Sequence, residues 1–182
     1  HVIQFNAYGK FKFVQFTDMH YKKDTKEYVV AIELINEVLD AEKPDLVIFT
    51  GDVIWAKPVK EGLDEVFAPV ISRNIPWAYV FGNHDDEFGM SRQEIMDYVI
   101  QKPYCVAQSG DKALQGVGNY ILEVKDRDND AIAALLYLLD SGAYTPIKGL
   151  GTYNWFNSNQ VEWYQKESAA YTHENKENPY PA

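Results

Sequence analysis

The sequence predicts an α/β domain in which a parallel sheet is followed by antiparallel strands. Three observations support this prediction. Short apolar runs alternate with segments of helical periodicity over the first half of the chain, which is the pattern of strand–helix–strand units. After Pro103, apolar runs follow one another through polar turns. A chain of 182 residues with 46% hydrophobic side chains can bury one sizeable core, so we expect a single domain over 1–182.

The first strand and the first helix follow from two different periodicities. Residues 10–17 alternate Phe and Val with polar residues, which predicts a strand. Residues 26–41 place Val and Ile at helical spacing, with Asp24 or Thr25 available as the N-cap. The next predicted strand, 45–52, is apolar on both faces, as expected inside a parallel sheet.

Two more helices and a buried strand continue the alternation. Residues 60–73 are predicted as a helix, 76–83 as a strand and 91–100 as a helix. Ser91 and Glu94 give the last of these a capping box. After it, three antiparallel strands are predicted at 104–109, 119–125 and 131–141. A final helix is predicted at 157–170.

Charge and composition exclude several classes of protein. A net charge of −10 and a pI near 4.8 argue against binding to a nucleic-acid backbone. The single Cys105 excludes an intrachain disulfide and a cysteine-rich zinc site, and its apolar context favours a buried, inert thiol. No run approaches the ~20 apolar residues of a membrane span. The chain starts at His1 rather than Met, so we expect a processed secreted or periplasmic protein rather than a cytoplasmic one.

The three strands of the first half all end in polar residues of the same kind. In chain order the strand ends carry Asp18 and His20, then Asp52, then Asn83, His84 and Asp85. The separations are 34 residues from Asp18 to Asp52 and 31 from Asp52 to Asn83, each about one strand–helix–strand unit. Because ligands bind at the carboxyl ends of strands in open α/β sheets, we expect these side chains to meet.

These side chains form a mixed oxygen and nitrogen donor set. Such a set suits Mn²⁺, Fe or Zn²⁺ and does not suit metals selected by thiolates. Asp52 lies on the middle segment and is the natural bridge in a pair of cations that activates water for an in-line displacement. Each motif alone is common; Gly82 and Asn83, for example, tolerate positive φ and suit an ordinary turn. The prediction therefore depends on the three motifs occurring together.

The three motifs make the chain resemble the calcineurin-like metallophosphoesterases. "DMH", "GDVI" and "GNHDD" are similar to that family's D-x-H, G-D-x-x and G-N-H-D/E motifs, and the specific resemblance covers 11–87. It continues more loosely through "LLYLLDSGAY" and "YNWFNSNQVEWYQ". The resemblance implies an α/β fold with two mixed β-sheets in a sandwich flanked by helices, an α/β/β/α arrangement.

The resemblance also implies a role for each motif residue. The metal ligands would be Asp18 and His20 on the first metal, Asp52 as the bridge, and Asn83 on the second metal. His84 would lie near the scissile phosphate as general acid or charge stabiliser, with Asp85 orienting its ring.

Two departures separate the chain from the purple acid phosphatases, which carry D-x-G and G-D-x-x-Y. His20 replaces that Gly, and Trp55 replaces the Tyr whose tyrosinate binds ferric iron. We therefore expect a member outside the purple branch. Tyr21 and Trp55, each just beyond a motif, are candidates to line a substrate pocket. Asp140, at a later strand end, either reaches the metal edge or caps its strand.

The family's later motifs, a His at a strand end and a G-H-x-H, have no counterpart here. The last of the four histidines, His173, lies in a polar stretch and is expected to be an exposed loop residue. We expect the chain to be cut before its last strands rather than degenerate, because its first three motifs are intact and it stops at "NPYPA". Loss of those strands would leave an unpaired edge and uncovered apolar surface in the second sheet, so we also expect self-association.

The resemblance thus predicts a metal-dependent phosphoesterase that hydrolyses a phosphate mono- or diester by a two-metal mechanism. The chain of 182 residues would itself be weakly active or inactive. The alternative is a non-catalytic protein-binding scaffold with a degenerate site. A G-H-x-H in the following codons of the gene would favour the enzyme, and a stop codon would favour the scaffold. The sequence leaves the substrate open.

Overall fold

A three-stranded parallel sheet forms from the first half of the chain in the computed structural model, which describes residues 2–128 and 130–182. His1 therefore lies outside the described residues. The strands lie in the order β1 (Phe13–Phe16), β2 (Leu46–Phe49) and β3 (Trp77–Tyr79). The helices that follow them in the chain are α1 (Lys26–Glu42), α2 (Val59–Ser72) and α3 (Arg92–Val99). The predicted alternation of strands and helices is confirmed.

The second sheet is antiparallel and pairs β4 (Tyr120–Lys125) with β5 (Ile132–Leu138). The final helix, α4 (Ser158–Glu174), is longer than the sequence predicted. It therefore includes His173, which we expected in a loop. The imidazole of His173 is exposed, as expected, and its Nδ1 lies 2.7 Å from the carboxylate of Glu177, just beyond the end of the helix.

The prediction of an antiparallel strand at 104–109 is wrong. Cys105 instead makes one parallel bridge with Trp77 of β3. The Trp77 amide donates to the Tyr104 carbonyl (3.0 Å), and the Val106 amide donates to the Trp77 carbonyl (2.8 Å). The segment therefore lies at the edge of the parallel sheet. Tyr104 has a φ of +64°, a turn conformation that apolar periodicity does not reveal.

One core joins the two sheets. All residues of β2 and β3 are buried, and the buried residues of β4 belong to the same cluster. Aromatic rings pack closely at its centre, with centroids 4.2 Å apart for Phe67 and Trp77 and 4.9 Å apart for Phe49 and Phe67. The Tyr120 hydroxyl of β4 donates to the Tyr79 carbonyl of β3 (2.8 Å). The second sheet is thereby held against the strand whose end carries the third motif.

Part of the outer surface is apolar. Phe13 of β1 and Val29, Val30 and Leu34 of α1 each leave between 47% and 60% of their surface exposed. Some of the periodic apolar positions of α1 therefore face outward rather than into the core. In the part of the chain that the structure describes, no helix combines the length and hydrophobicity needed to cross a bilayer.

Cys105 should be unreactive while the chain is folded. Its thiol packs against the core, and burial raises its pKa to about 12, so the reactive thiolate is scarce at neutral pH. We predict negligible labelling by a thiol-specific chromogenic disulfide at neutral pH, measured by absorbance. Stoichiometric labelling should follow in concentrated guanidinium chloride. Rapid labelling of the folded chain would contradict this prediction.

Candidate metal site

Backbone hydrogen bonds hold the chain together beyond the ends of β1 and β2. The amide of Asp18 donates to the carbonyl of Gly51 (3.1 Å), and that of His20 donates to the carbonyl of Asp52 (2.8 Å). The amide of Tyr21 then donates to the carbonyl of Val53 (2.8 Å). The first two motifs therefore run side by side at the carboxyl edge of the sheet, as their spacing predicts.

Three of the predicted metal ligands have an unusual backbone conformation. Asp18, His20 and Asp52 have φ values of +53°, +44° and +51°. Non-glycine residues adopt this region at a cost of about 1–3 kcal/mol each, and such residues cluster at functional sites. The interloop hydrogen bonds hold these conformations in place. As a result, three side chains from two loops point towards the same place.

These three side chains can share a cation. One ligand atom from each lies within 4.8 Å of the other two. The His20 Nε2 is 3.9 Å from Asp18 Oδ1 and 4.0 Å from Asp52 Oδ2. The other ring nitrogen of His20, Nδ1, is buried and has no hydrogen-bond partner among the described residues. Two carboxylates and one imidazole fit Mn²⁺, Fe or Zn²⁺.

Asn83 faces the same space as the two carboxylates. A cavity of about 560 Å³ lies between the parallel sheet and β5, and Asp18, Asp52 and Asn83 all line its wall. The rest of the wall is largely apolar and includes Phe81 and Leu138. The structure thus gathers the four predicted ligands at one edge of the sheet, with His20 beside two of the residues on the cavity wall.

Asp85 has a different contact from the one we expected. Its Oδ2 accepts from the amides of Asp52 (2.9 Å) and Gly82 (2.7 Å), and its Oδ1 accepts from the amide of Val53 (2.9 Å). The carboxylate is buried, and this desolvation raises its pKa although the three amides oppose the shift. With both oxygens facing backbone, Asp85 ties the second motif to the third and does not orient the His84 ring.

Glu87 makes the contact expected of Asp85. Its Oε1 lies 2.7 Å from Nδ1 of His84 and also accepts a short hydrogen bond from the Tyr144 hydroxyl. The amide of Glu87 donates to the His84 carbonyl (3.1 Å), so the two residues close one turn. Sequence reasoning missed Glu87; its position three residues after the histidine was the available signal.

The glycines of the second and third motifs allow the strand ends to approach closely. A Cβ on Gly51 would lie 1.9 Å from the Gly82 nitrogen, and a Cβ on Gly82 would lie 2.3 Å from the Asp52 Oδ1. Gly51 has a φ of +93°, whereas Gly82 and Asn83 do not have positive φ. Close packing, rather than the positive φ of an ordinary turn, therefore accounts for Gly82.

Asp140 supports the site without facing the metal ligands. Its buried carboxylate pairs with Arg92 (2.7 Å) and accepts from the amides of Val117 (2.9 Å) and Gly142 (2.8 Å). Arg92 also donates to the Gly82 carbonyl (2.7 Å). Asp140 therefore connects the second sheet to the third motif.

Tyr21 and Trp55, the two candidate pocket residues, lie in different surroundings. Tyr21 is buried against Tyr28, and its hydroxyl donates to Glu65, so it packs in the fold rather than lining a pocket. Trp55 lies with its ring centroid 4.8 Å from that of His20 and 4.9 Å from that of His84. Trp55 therefore borders the candidate site.

Comparison with known proteins supports the resemblance. The model of the family "Calcineurin-like phosphoesterase" matches residues 11–179. Two similar proteins of Arabidopsis thaliana are named "Probable inactive purple acid phosphatase 14" (32% identical) and "Probable inactive purple acid phosphatase 29" (30% identical); each match covers 98% of this chain and 52% of the relative. "Phosphatase DCR2" of Saccharomyces cerevisiae is 33% identical over 85% of this chain and 31% of its own length. The chain thus spans about half of the two plant relatives and less of the yeast one.

A solved structure has the same fold. A dimetal phosphatase from Danio rerio matches with a TM-score of 0.61 and 16% identity, covering 92% of this chain and 67% of that one. This likeness confirms the predicted fold class. Within the described residues the two sheets are one parallel and one antiparallel sheet.

Replacement of Asp85 by Asn should destabilise the chain. An amide oxygen can keep at most two of the three backbone donors, and the new NH₂ group would face an N–H that has lost its acceptor. We predict that Asp85→Asn lowers the free energy of unfolding by about 2–4 kcal/mol, measured by denaturant titration.

Asp97→Asn, on the exposed face of α3, is the matched control and should change stability by less than about 0.5 kcal/mol. Equal effects of the two variants would contradict the role assigned to Asp85.

Proposed function

The chain belongs to the calcineurin-like phosphoesterase family, and we propose that its complete gene product hydrolyses a phosphate mono- or diester by a two-metal mechanism. The observation that carries the proposal is the convergence of Asp18, His20 and Asp52 in strained conformations at one sheet edge. Strain at three neighbouring residues with ligating side chains is difficult to attribute to folding alone.

In this proposal each motif residue has a defined task. The first metal would be held by Asp18 and His20, Asp52 would bridge, and Asn83 would hold the second. When bound, two divalent cations would activate a water and stabilise the charge of an in-line displacement. Mn, Fe and Zn are the candidates, since the donor set contains no thiolate.

His84 is the proposed group that meets the phosphate. With a proton on both ring nitrogens, His84 would donate its Nδ1–H to Glu87 and have its Nε2–H free to give to the leaving oxygen. The His84 amide also donates to Asp52 Oδ1 (2.8 Å), so the backbone of the proposed acid is attached to the proposed bridging ligand. Asp85 would contribute through the backbone, by holding the second and third motifs at a fixed separation.

The proposal predicts turnover that depends on both metal and Asp52. The complete gene product should bind about two metal ions per chain by elemental analysis and hydrolyse p-nitrophenyl phosphate or bis-p-nitrophenyl phosphate. Chelation should abolish turnover, and Mn²⁺, Fe²⁺ or Zn²⁺ should restore it. Asp52→Asn should reduce kcat at least ~100-fold because the bridging charge is lost, whereas Asp97→Asn should leave it unchanged.

Absence of metal-dependent turnover on both substrates would contradict the enzymatic proposal. Metal binding without turnover would instead favour the alternative of a protein-binding scaffold. One observation supports that alternative: similar plant proteins carry the word "inactive" in their names. For the chain of 182 residues alone we expect weak or no activity. A location outside the cytoplasm stays a prediction.

We also propose that this chain associates with itself through its outer apolar surface. Phe13, at the edge of the parallel sheet, and Val30 and Leu34 of α1 are large side chains with about half of their surface exposed. Light scattering of the chain at high concentration should give a mass above 20.9 kDa, and Leu34→Glu should lower it towards that value. A monomer at all concentrations would contradict self-association.

A further inference from the structure

Two tyrosines form an exposed stacked pair beside His84. Tyr144 and Tyr153 have ring centroids 5.8 Å apart with an angle of 30° between their planes. Each leaves about half of its surface exposed, 49% and 52% respectively. Their backbones pair as an antiparallel bridge, which places both rings on the same small hairpin between β5 and α4.

Hydrogen bonds hold the hairpin together in addition to the contact between its two rings. The Thr145 amide donates to the Thr152 carbonyl (3.0 Å), and the Asn154 amide donates to the Ala143 carbonyl (3.0 Å). The Tyr144 hydroxyl donates to Glu87, the same carboxylate that contacts His84. The pair is therefore attached to the candidate site through a hydrogen bond as well as through ring contacts.

The pair borders the edge of the His84 ring that faces Glu87, since the Tyr144 hydroxyl lies 3.4 Å from Nδ1 of His84. The ring centroid of His84 is 5.9 Å from that of His20 and 5.9 Å from that of Tyr153, and Tyr144 is 6.3 Å away. If His84 protonates the leaving oxygen from Nε2, as proposed above, a group that is attached to that oxygen and extends past the imidazole would meet the two tyrosines.

Packing alone does not account for the pair. An aromatic residue that stabilises a core buries most of its area, whereas these two retain about half of theirs in solvent. Exposed aromatic faces beside a polar site are typical of surfaces on which planar ligands stack.

We propose that Tyr144 and Tyr153 form a stacking surface for an aromatic leaving group, so that the preferred substrates are phosphate esters whose ester oxygen carries an aromatic ring. This inference rests on the proposed function, because it uses His84 to place the scissile bond. It names a substrate class where the sequence had left the substrate open.

Two phosphonates that cannot be hydrolysed separate aromatic recognition from leaving-group reactivity. Benzylphosphonate and cyclohexylmethylphosphonate have the same carbon skeleton and differ in aromaticity. We expect the metal-loaded complete gene product to bind benzylphosphonate about tenfold more tightly by calorimetry. Tyr153→Leu should remove most of this preference and leave the affinity for inorganic phosphate unchanged.

Two further variants separate stacking from other effects. Tyr144→Phe keeps the ring and loses the hydrogen bond to Glu87, so the preference for benzylphosphonate should persist. Tyr8→Leu replaces a tyrosine that is 87% exposed and has no ring contact within the described residues, and it should change nothing.

Equal affinities of the wild-type protein for the two phosphonates would overturn this inference and leave the phosphoesterase proposal standing. A failure of the metal-loaded protein to bind inorganic phosphate would overturn both. The wild-type comparison decides the question even if Tyr153→Leu perturbs the hairpin.

Discussion

The candidate site depends on one buried carboxylate. Asp85 accepts hydrogen bonds from three amides, two in the second motif and one in the third, and so fixes the distance between the ends of β2 and β3. The Asp52 carboxylate in turn accepts a hydrogen bond from the His84 amide, so each of the two motifs has a carboxylate bonded to the backbone of the other. A chain segment can keep a residue such as Asp52 at positive φ only when its surroundings determine that conformation. These hydrogen bonds hold Asp52 in its conformation, and they can form because Gly82 has no Cβ.

A second buried carboxylate extends the same arrangement to the other sheet. Asp140 at the end of β5 pairs with Arg92, whose second nitrogen donates to the Gly82 carbonyl. The carbonyl of Asp140 accepts from Gln160 of α4 (2.7 Å), and the amide of Asp140 donates to Asn119 (3.1 Å). Buried polar groups that are all satisfied in this way specify one arrangement of their elements. The hairpin that carries the two tyrosines starts just after Asp140, so this network also determines where the stacked pair lies.

The sequence was sufficient for the parts of the site that depend on strand order and spacing. Polar residues at three strand ends had to meet, because parallel strands present their carboxyl ends on one side. It was insufficient where a turn decides which of several adjacent acids faces a partner. Asp85 was the residue predicted to hold His84, but the turn through these residues directs Asp85 to backbone amides and Glu87 to the imidazole. The tyrosine pair depends on a hairpin about 60 residues away from His84 in sequence, and periodicity carries no information at that range. The segment 104–109 was misassigned for a similar reason, since its edge position depends on the conformation of Tyr104.

Charge explains why metal and substrate would have to bind this site together. Asp52 and Glu87 contact His84, and Asp18 lies beside Asp52, in a chain whose net charge is −10, so a phosphate approaching the protein alone would be repelled. Arg92 lies close to the third motif, but its guanidinium already pairs with the buried Asp140 and lies 3.4 Å from Asp86. A phosphate would therefore need a cation brought from solution, and divalent ions at the two carboxylates would reverse the local sign. The two carboxylates would then allow the site to bind an anion, because they would hold the cations that attract it.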